Sequence, residues 1–248
     1  MVALITGGGR GIGRAIVSRS PAELAATAKE AGGKTLAITA DVSNASEVKG
    51  MVQRTESELG PIELLVNNAG IAGPMGPFWE TDTGEWWRCE EVNVRGPMLC
   101  SHAVVPGMMR RNAGRILNLS SGAGVRAVPN MGAYALSKAA MMRFSEQLAL
   151  ELAPHGIQVF AIRPGVVRTR MVEAVRGHVP VVQNFLDEGR DVPPEATADL
   201  VEYIASGKAD ALSGCVLSVE ENWDEMVRRS EEIRRDQMCV LRLKEFPG

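Results

Sequence analysis

Tyr134 and Lys138 stand four residues apart in Tyr-Ala-Leu-Ser-Lys, a spacing that sets a phenol beside an ammonium on one helical face. Such a pair is a tunable proton donor. A free tyrosine near pKa ~10 exchanges protons sluggishly at neutral pH, and a lysine charge a few ångströms away favours the phenolate and draws that value toward the working range. A second constellation opens the chain, where Thr6-Gly-Gly-Gly-Arg-Gly-Ile-Gly13 follows directly on the apolar run Val2-Ala-Leu-Ile5. A buried parallel strand, a glycine turn and a helix from about Ile12 make a cradle for a pyrophosphate. Backbone N–H groups and a helix N-terminus point at the anion, and no Cβ blocks its approach. The spacing of Gly7, Gly11 and Gly13 differs from G-x-G-x-x-G.

Positioning these groups takes alternating strands and helices, and the hydrophobic pattern supplies them. Strands are predicted at 35–40, 62–66, 115–119, 157–162 and 213–219, and helices at 46–59 and, despite Pro97 and Pro106, at 91–111. The strand at 62–66 ends on Asn67-Asn68-Ala69-Gly70. That at 115–119 delivers Ser120 and Ser121 at its carboxyl end, where open α/β sheets hold ligands. Leu136, Ala140, Phe144, Leu148 and Leu152 form an apolar stripe down the Tyr134 helix, and the strand at 157–162 ends on Pro164-Gly165. After the last strand comes a helical tail. Its apolar face is Trp223, Met226, Val227 and Ile233, and Asp224/Arg228, Glu225/Arg229 and Glu231/Arg235 are spaced for i,i+4 pairs. Such a tail covers the protein's own edge or, as the weaker alternative, a partner subunit. Neither repeat nor linker divides the chain, so the expectation is one domain over 1–248 with the 220–248 tail packed on it.

With 248 residues and 45% hydrophobic content the chain can build one large α/β core. A net charge of −3 offers no footprint for nucleic acid. No apolar run approaches the ~18 residues of a membrane span and no leader pattern precedes the first strand, which points to the cytoplasm. Cys89, Cys100, Cys215 and Cys239 lack metal or redox spacing and read as reduced, mostly buried thiols. His102, His155 and His178 are scattered, and no metal site is expected.

Five motifs in order, Thr6-Gly7-x-x-x-Gly11-x-Gly13, Asn67-Asn68-Ala69-Gly70, Ser121 thirteen residues before Tyr134, Tyr134/Lys138 and Pro164-Gly165-x-x-x-Thr169, resemble the short-chain dehydrogenase/reductase family, notably its 3-oxoacyl-[acyl-carrier-protein] reductases. The resemblance spans almost the whole chain. It implies a single-domain, Rossmann-type doubly wound parallel sheet that interconverts alcohols and carbonyls of small molecules with NAD(H) or NADP(H). It also implies a homodimer or homotetramer built through the helices at 91–111 and 134–152. Tyr134 would be the general acid/base, Lys138 would lower its pKa and hold the nicotinamide ribose, and Ser121 would hydrogen-bond the substrate oxygen, with Ser120 as its rival. Asn93 matches the position that holds a relay water; a lone helical Asn is otherwise a structural kink. Thr6, Gly7, Gly11, Ile12, Gly13, Asp41, Val42, Asn67, Ala69, Gly70, Pro164, Gly165 and Thr169 would line the cofactor, Thr169 anchoring its carboxamide. Residues 73–79 and 170–191 would flank a moderately apolar substrate site, with Met171, Val172, Val175 and Phe185 as lid residues.

One stretch departs from the family. Positions 14 to 40, 27 residues, must replace two helical crossovers and a strand, which leaves the segment short by roughly twenty residues. In one outcome residues 12–31 form a single helix bent at Pro21, and 35–40 pairs with the first strand in a sheet one strand narrower. In the other the gap stays open and adenosine is poorly held. Asp41 would lie near the acidic residue of NAD-preferring relatives. Arg19 resembles the cation that meets the 2′-phosphate in NADP-preferring ones, which puts NADP slightly ahead.

Overall fold

In the computed structural model, which describes residues 1–17 and 34–244, the apolar runs become five strands. These are β1 (Val2–Ile5), β2 (Ile62–Asn67), β3 (Gly114–Leu119), β4 (Ile157–Arg163) and β5 (Val216–Ser218). They lie side by side in chain order, every neighbouring pair parallel. Parallel neighbours require crossovers, and helices supply them. The first crossover opens with α1 (Gly11–Val17) and closes with α2 (Ala45–Leu59); the next holds α3 (Thr83–Glu90) and α4 (Gly96–Arg111). Between β3 and β4 runs α5 (Gly132–Leu152), and between β4 and β5 run α6 (Arg170–Val175), α7 (Pro180–Asp187) and α8 (Pro194–Ala205). Asn44 and Asp82 cap α2 and α3 by accepting from backbone N–H groups of their first turns.

Side chains alternate across the sheet with the two-residue period of a strand. Leu65, Ile116 and Val159 face Val48, Val52, Val104 and Met108 of α2 and α4. Leu64, Val66, Leu117, Phe160 and Ile162 face Leu200 and Ile204 of α8, with Ile12 and Ile16 of α1 packed alongside. Covering both faces is what demands nearly continuous apolar strands. The fold is therefore the doubly wound α/β sheet expected.

Several expectations shift. Residues 35–40 form no ladder but run as irregular backbone beside β1. Among the described residues the outer edge of β1 is unpaired, and a cavity of about 970 Å³ lies along it, bounded by residues 34–40, Val42 and Met51. The segment is drawn elsewhere: Arg88 binds Asp41 at 2.8 Å and the Ser43 hydroxyl at 2.6 Å, and Arg95 holds the Ser43 carbonyl. Of the helix expected over 12–31, α1 is described to Val17; Pro21 and Arg19 lie outside the described residues. On α5 the buried face is Ala133, Ser137, Met141, Ser145, Ala149 and Leu152, whereas Leu136 of the expected stripe is 52% exposed. Small residues on the inner face let the helix lie close against β3 and β4.

The tail breaks near Arg229 into α9 (Trp223–Arg228) and α10 (Ser230–Arg235). Its ion pairs are therefore Arg228–Glu225, Arg229–Glu232 and Arg235–Asp236 rather than the i,i+4 set. Trp223, Met226, Val227 and Ile233 pack into the core beside Leu212 and Leu217. The Val216 N–H donates to the Cys239 carbonyl at 2.7 Å, so the chain closes its own β5 edge. No helix among the described residues is long and apolar enough to cross a membrane, and none of their His, Cys, Asp or Glu side chains cluster as a metal site.

Candidate active site

The carboxyl ends of β1 and β2 are lashed together. Thr6 Oγ1 accepts from the N–H groups of Asn68 and Ala69, both at 3.0 Å, while Asn68 Nδ2 donates to the carbonyls of Thr6 at 2.9 Å and Gly7 at 3.2 Å. Gly13 is forced by this arrangement, because a Cβ there would collide with Asn68 Nδ2 and the Gly7 carbonyl. Gly7 and Gly11 have φ of +66° and +54°, a left-handed geometry that turns successive N–H groups into a concavity suited to an anion. Thr169, which caps α6 through the Val172 N–H, faces Gly11 so closely that a Cβ on the glycine would lie 3.2 Å from its methyl. The glycine turn and the Pro164-Gly165-x-x-x-Thr169 segment thus form two lips of one crevice.

Some expected cofactor residues are committed elsewhere. The Asn67 side chain is buried and donates to Asn118 Oδ1 at 2.8 Å and Ser101 Oγ at 3.3 Å, leaving only its backbone toward the crevice. Asp41 binds Arg88 and both the N–H and hydroxyl of Ser43. Those hydrogen bonds hold its carboxyl near pKa 2. Ile12 and Val42 pack into the two cores, which leaves their backbone for binding.

The proton-handling groups meet at the ends of β3 and α5. Ser120 is buried and donates its hydroxyl to the Lys138 carbonyl at 2.7 Å, so Ser121, half-buried and hydrogen-bonded to Tyr134, is the serine at the phenol. Lys138 is buried and donates Nζ to the Leu119 carbonyl at 2.8 Å, lying 5.4 Å from the Tyr134 ring centre. Gly70 ties the two halves together, since a Cβ on it would stand 3.1 Å from Asn93 Oδ1 and 3.8 Å from Lys138 Nζ. Asn93 sits on a π-helical turn, Glu91–Arg95, of the kind that recurs at functional sites. Its amide brackets Ile71, accepting from the N–H at 2.9 Å and donating to the carbonyl at 2.8 Å, and also donates to Ser137 Oγ at 3.0 Å. The π-helical turn carries Asn93 to Ile71, where its side chain serves as a clamp on the 70–72 loop.

The electrostatics differ from the sequence expectation. Burial pushes the Tyr134 phenol up to about 12, against the lowering effect of Ser121, and pushes the Lys138 ammonium down to about 8. Met131, Val175 and Val179 pack at the phenol with Met75, Val128 and Val182, so the 170–187 segment does lie over the site. Of the expected lid residues Val175 is in that cluster, whereas the Phe185 ring lies under the Arg190 guanidinium, 4.0 Å from it. Asn68, Ser137 and Cys89 were given no part in the site by the sequence, Asn68 being named only within its motif and Cys89 only as a buried thiol. Cys89 is fully buried, accepts from Asn93 at 3.3 Å and is pushed up to about 11 by that burial.

A glycine turn and a Ser–Tyr–Lys set, its lysine buried and its serine and tyrosine half-buried, at one end of a doubly wound sheet define a class. The short chain dehydrogenase family model matches residues 1–179, and the chain belongs to that family of oxidoreductases. Among its relatives is the 3-oxoacyl-[acyl-carrier-protein] reductase of Synechocystis sp., 32% identical over 237 residues that cover 88% of this chain and 95% of the relative. Two solved structures share the fold. Levodione reductase has a TM-score of 0.81 at 26% identity, covering 91% of this chain and 97% of that one; NAD+-bound xylitol dehydrogenase has 0.78 at 28% identity, covering 87% and 96%.

Proposed function

We propose that the protein transfers hydride between NAD(H) or NADP(H) and a small carbonyl or alcohol, with Tyr134 as general acid/base. The observation that carries this is the convergence of Ser121, Tyr134 and Lys138 on the crevice that also holds the Thr6–Gly13 turn. The concave N–H surface of that turn fits a pyrophosphate, and the NAD+-bound structure of xylitol dehydrogenase supports a dinucleotide here. When bound, the nicotinamide supplies or accepts the hydride. Tyr134 gives its proton to the carbonyl oxygen, Ser121 donates a hydrogen bond to that oxygen as charge develops, and Lys138 stabilises the phenolate left behind. Thr6, Gly7, Gly11, Gly13, Ala69, Gly70, Pro164, Gly165 and Thr169 would line the dinucleotide, NADP slightly ahead of NAD. We place the enzyme in the cytoplasm as a homodimer or homotetramer, joined through the exposed faces of α4 and α5 around Met98, Leu136 and Leu150.

The test is NADH and NADPH oxidation with a carbonyl panel, run beside Tyr134→Phe. That variant should lose about 10²–10⁴ in turnover while calorimetry finds its dinucleotide Kd within about twofold of the parent. Equal turnover would refute the assignment. A second reading, a dinucleotide-binding scaffold that associates with other subunits but turns nothing over, is favoured by the β1 edge, unpaired among the described residues, and by the 970 Å³ cavity along it. Dinucleotide binding without turnover of any carbonyl would select it.

A further inference from the structure

The loop after β2 and the loop before α5 enclose a second cavity of about 130 Å³, walled by Pro74, Phe78, Trp86, Val128, Asn130 and Gly132. Among the described residues no charged side chain lines it. One observation joins it to Tyr134. Val128 belongs both to this wall and to the apolar cluster against which Tyr134 packs, and Met75 of that cluster stands in sequence between Pro74 and Gly76, which line the cavity. The size is informative. An enclosed apolar cavity of ~150 Å³ takes up a benzene molecule; this one, of comparable size with Thr81 and Asn130 also among its walls, has room for a single six-membered ring or a branched group of similar bulk. Phe78, 72% exposed, stands at its rim with Trp79, 81% exposed, beside it in sequence.

Resting on the proposed carbonyl chemistry, we infer that the substrate is an uncharged ketone or secondary alcohol carrying one ring or equivalent branched group, which seats between Phe78, Trp86 and Val128 while its oxygen meets Tyr134 and Ser121. Gly132 is the specificity-determining residue. It leaves the space open, and a Cβ there would rest at an ordinary 3.6 Å from Trp86 Nε1 without backbone strain. A larger side chain fills the cavity and should leave the fold intact.

The test compares kcat/KM of the full chain, with NADH and with NADPH, for cyclohexanone, acetophenone, 2-butanone, acetoacetate and an acetoacetyl thioester of N-acetylcysteamine. The ring ketones should exceed 2-butanone by about 10–100-fold, the range a filled apolar pocket supplies. Gly132→Leu should bring that ratio to about one, chiefly through KM, and Phe78→Ala, at an exposed site, should raise KM for the ring ketones a few-fold. Preference for acetoacetate or the thioester, or an unchanged ratio in Gly132→Leu with circular dichroism matching the parent, overturns this inference alone. If no ketone is reduced with either dinucleotide, the carbonyl chemistry falls and this inference with it.

Discussion

At the scale of single residues, the site is ruled by the cost of burying charge. Lys138 gains a hydrogen bond to the Leu119 carbonyl yet its ammonium is pushed down to about 8. If that charge stabilises the departing phenolate, reduction should hold level from pH 6 to about 8. It should then fall, approaching tenfold per unit, as the ammonium deprotonates, because the phenol stays protonated far beyond that range. A pH profile of kcat/KM that stays flat to 9.5 would remove Lys138 from the step. Lys138→Arg, whose guanidinium does not titrate, should erase the break in whatever activity it retains. Glu90 shows the same cost without the function. Among the described residues its buried Oε1 has no hydrogen-bond partner, and desolvation pushes its carboxyl up to about 7 from 4.5. The folded state then holds a proton that the unfolded chain has released, so stability is greatest below pH 4.5 and falls as pH rises through 7. The loss is about 3 kcal/mol at pH 8. Glu90→Gln should recover much of it, raising Tm at pH 8 by about 5–10 °C and leaving it unchanged at pH 4.5. Equal shifts at both pH values would show that ionisation is not the cause.

Elements decide where those residues stand, and here the sequence was readable to different depths. Runs such as Ile62–Asn67 and Ile157–Arg163 announce themselves because both faces of a parallel sheet are covered, so their middles are continuous apolar runs and the polar residues Glu63, Asn67, Gln158 and Arg163 fall near the strand ends. The Tyr134–Lys138 pair was visible because helical spacing places the two side chains together, whereas Ser121 was reached only through the family resemblance, by its thirteen-residue separation from Tyr134. Residues 35–40 have strand-like composition but no strand. Composition cannot register that Arg88 and Arg95 pull the following turn toward α3 and the π-helical turn after it. Nor could spacing reveal that Asn67 turns into the core while Asn68 braces the glycine turn, because neighbouring residues of one type differ only in the direction their strand end gives them. The brace carries a prediction. Removing the amide in Asn68→Ala frees the carbonyls of Thr6 and Gly7 to rearrange, so dinucleotide Kd should rise about tenfold, the worth of one or two net hydrogen bonds. Titration calorimetry showing an unchanged Kd would mean the turn is held by Thr6 alone.

For the whole molecule, the question is what keeps α5 rigid, since it carries Tyr134 and Lys138 on one side and exposes Leu136 and Leu150, at 52% and 69%, on the other. An isolated exposed leucine means little. Two on this helix, with Met98 40% exposed on α4, make a surface that a second subunit would bury. Covering it would clamp the outer side of the helix whose inner side positions the proton donor, so association and turnover should be coupled. Multi-angle light scattering of the full chain should give two or four times 26.6 kDa. The double substitution Leu136→Asp with Leu150→Asp should bring the mass to that of one chain, because two carboxylates cannot be buried unpaired at an interface. The same variant should lose at least about tenfold in kcat while its circular dichroism stays that of the parent. A variant that is monomeric and fully active would show that the sheet alone holds Tyr134 in place, and an unchanged mass would put the subunit contact on another face.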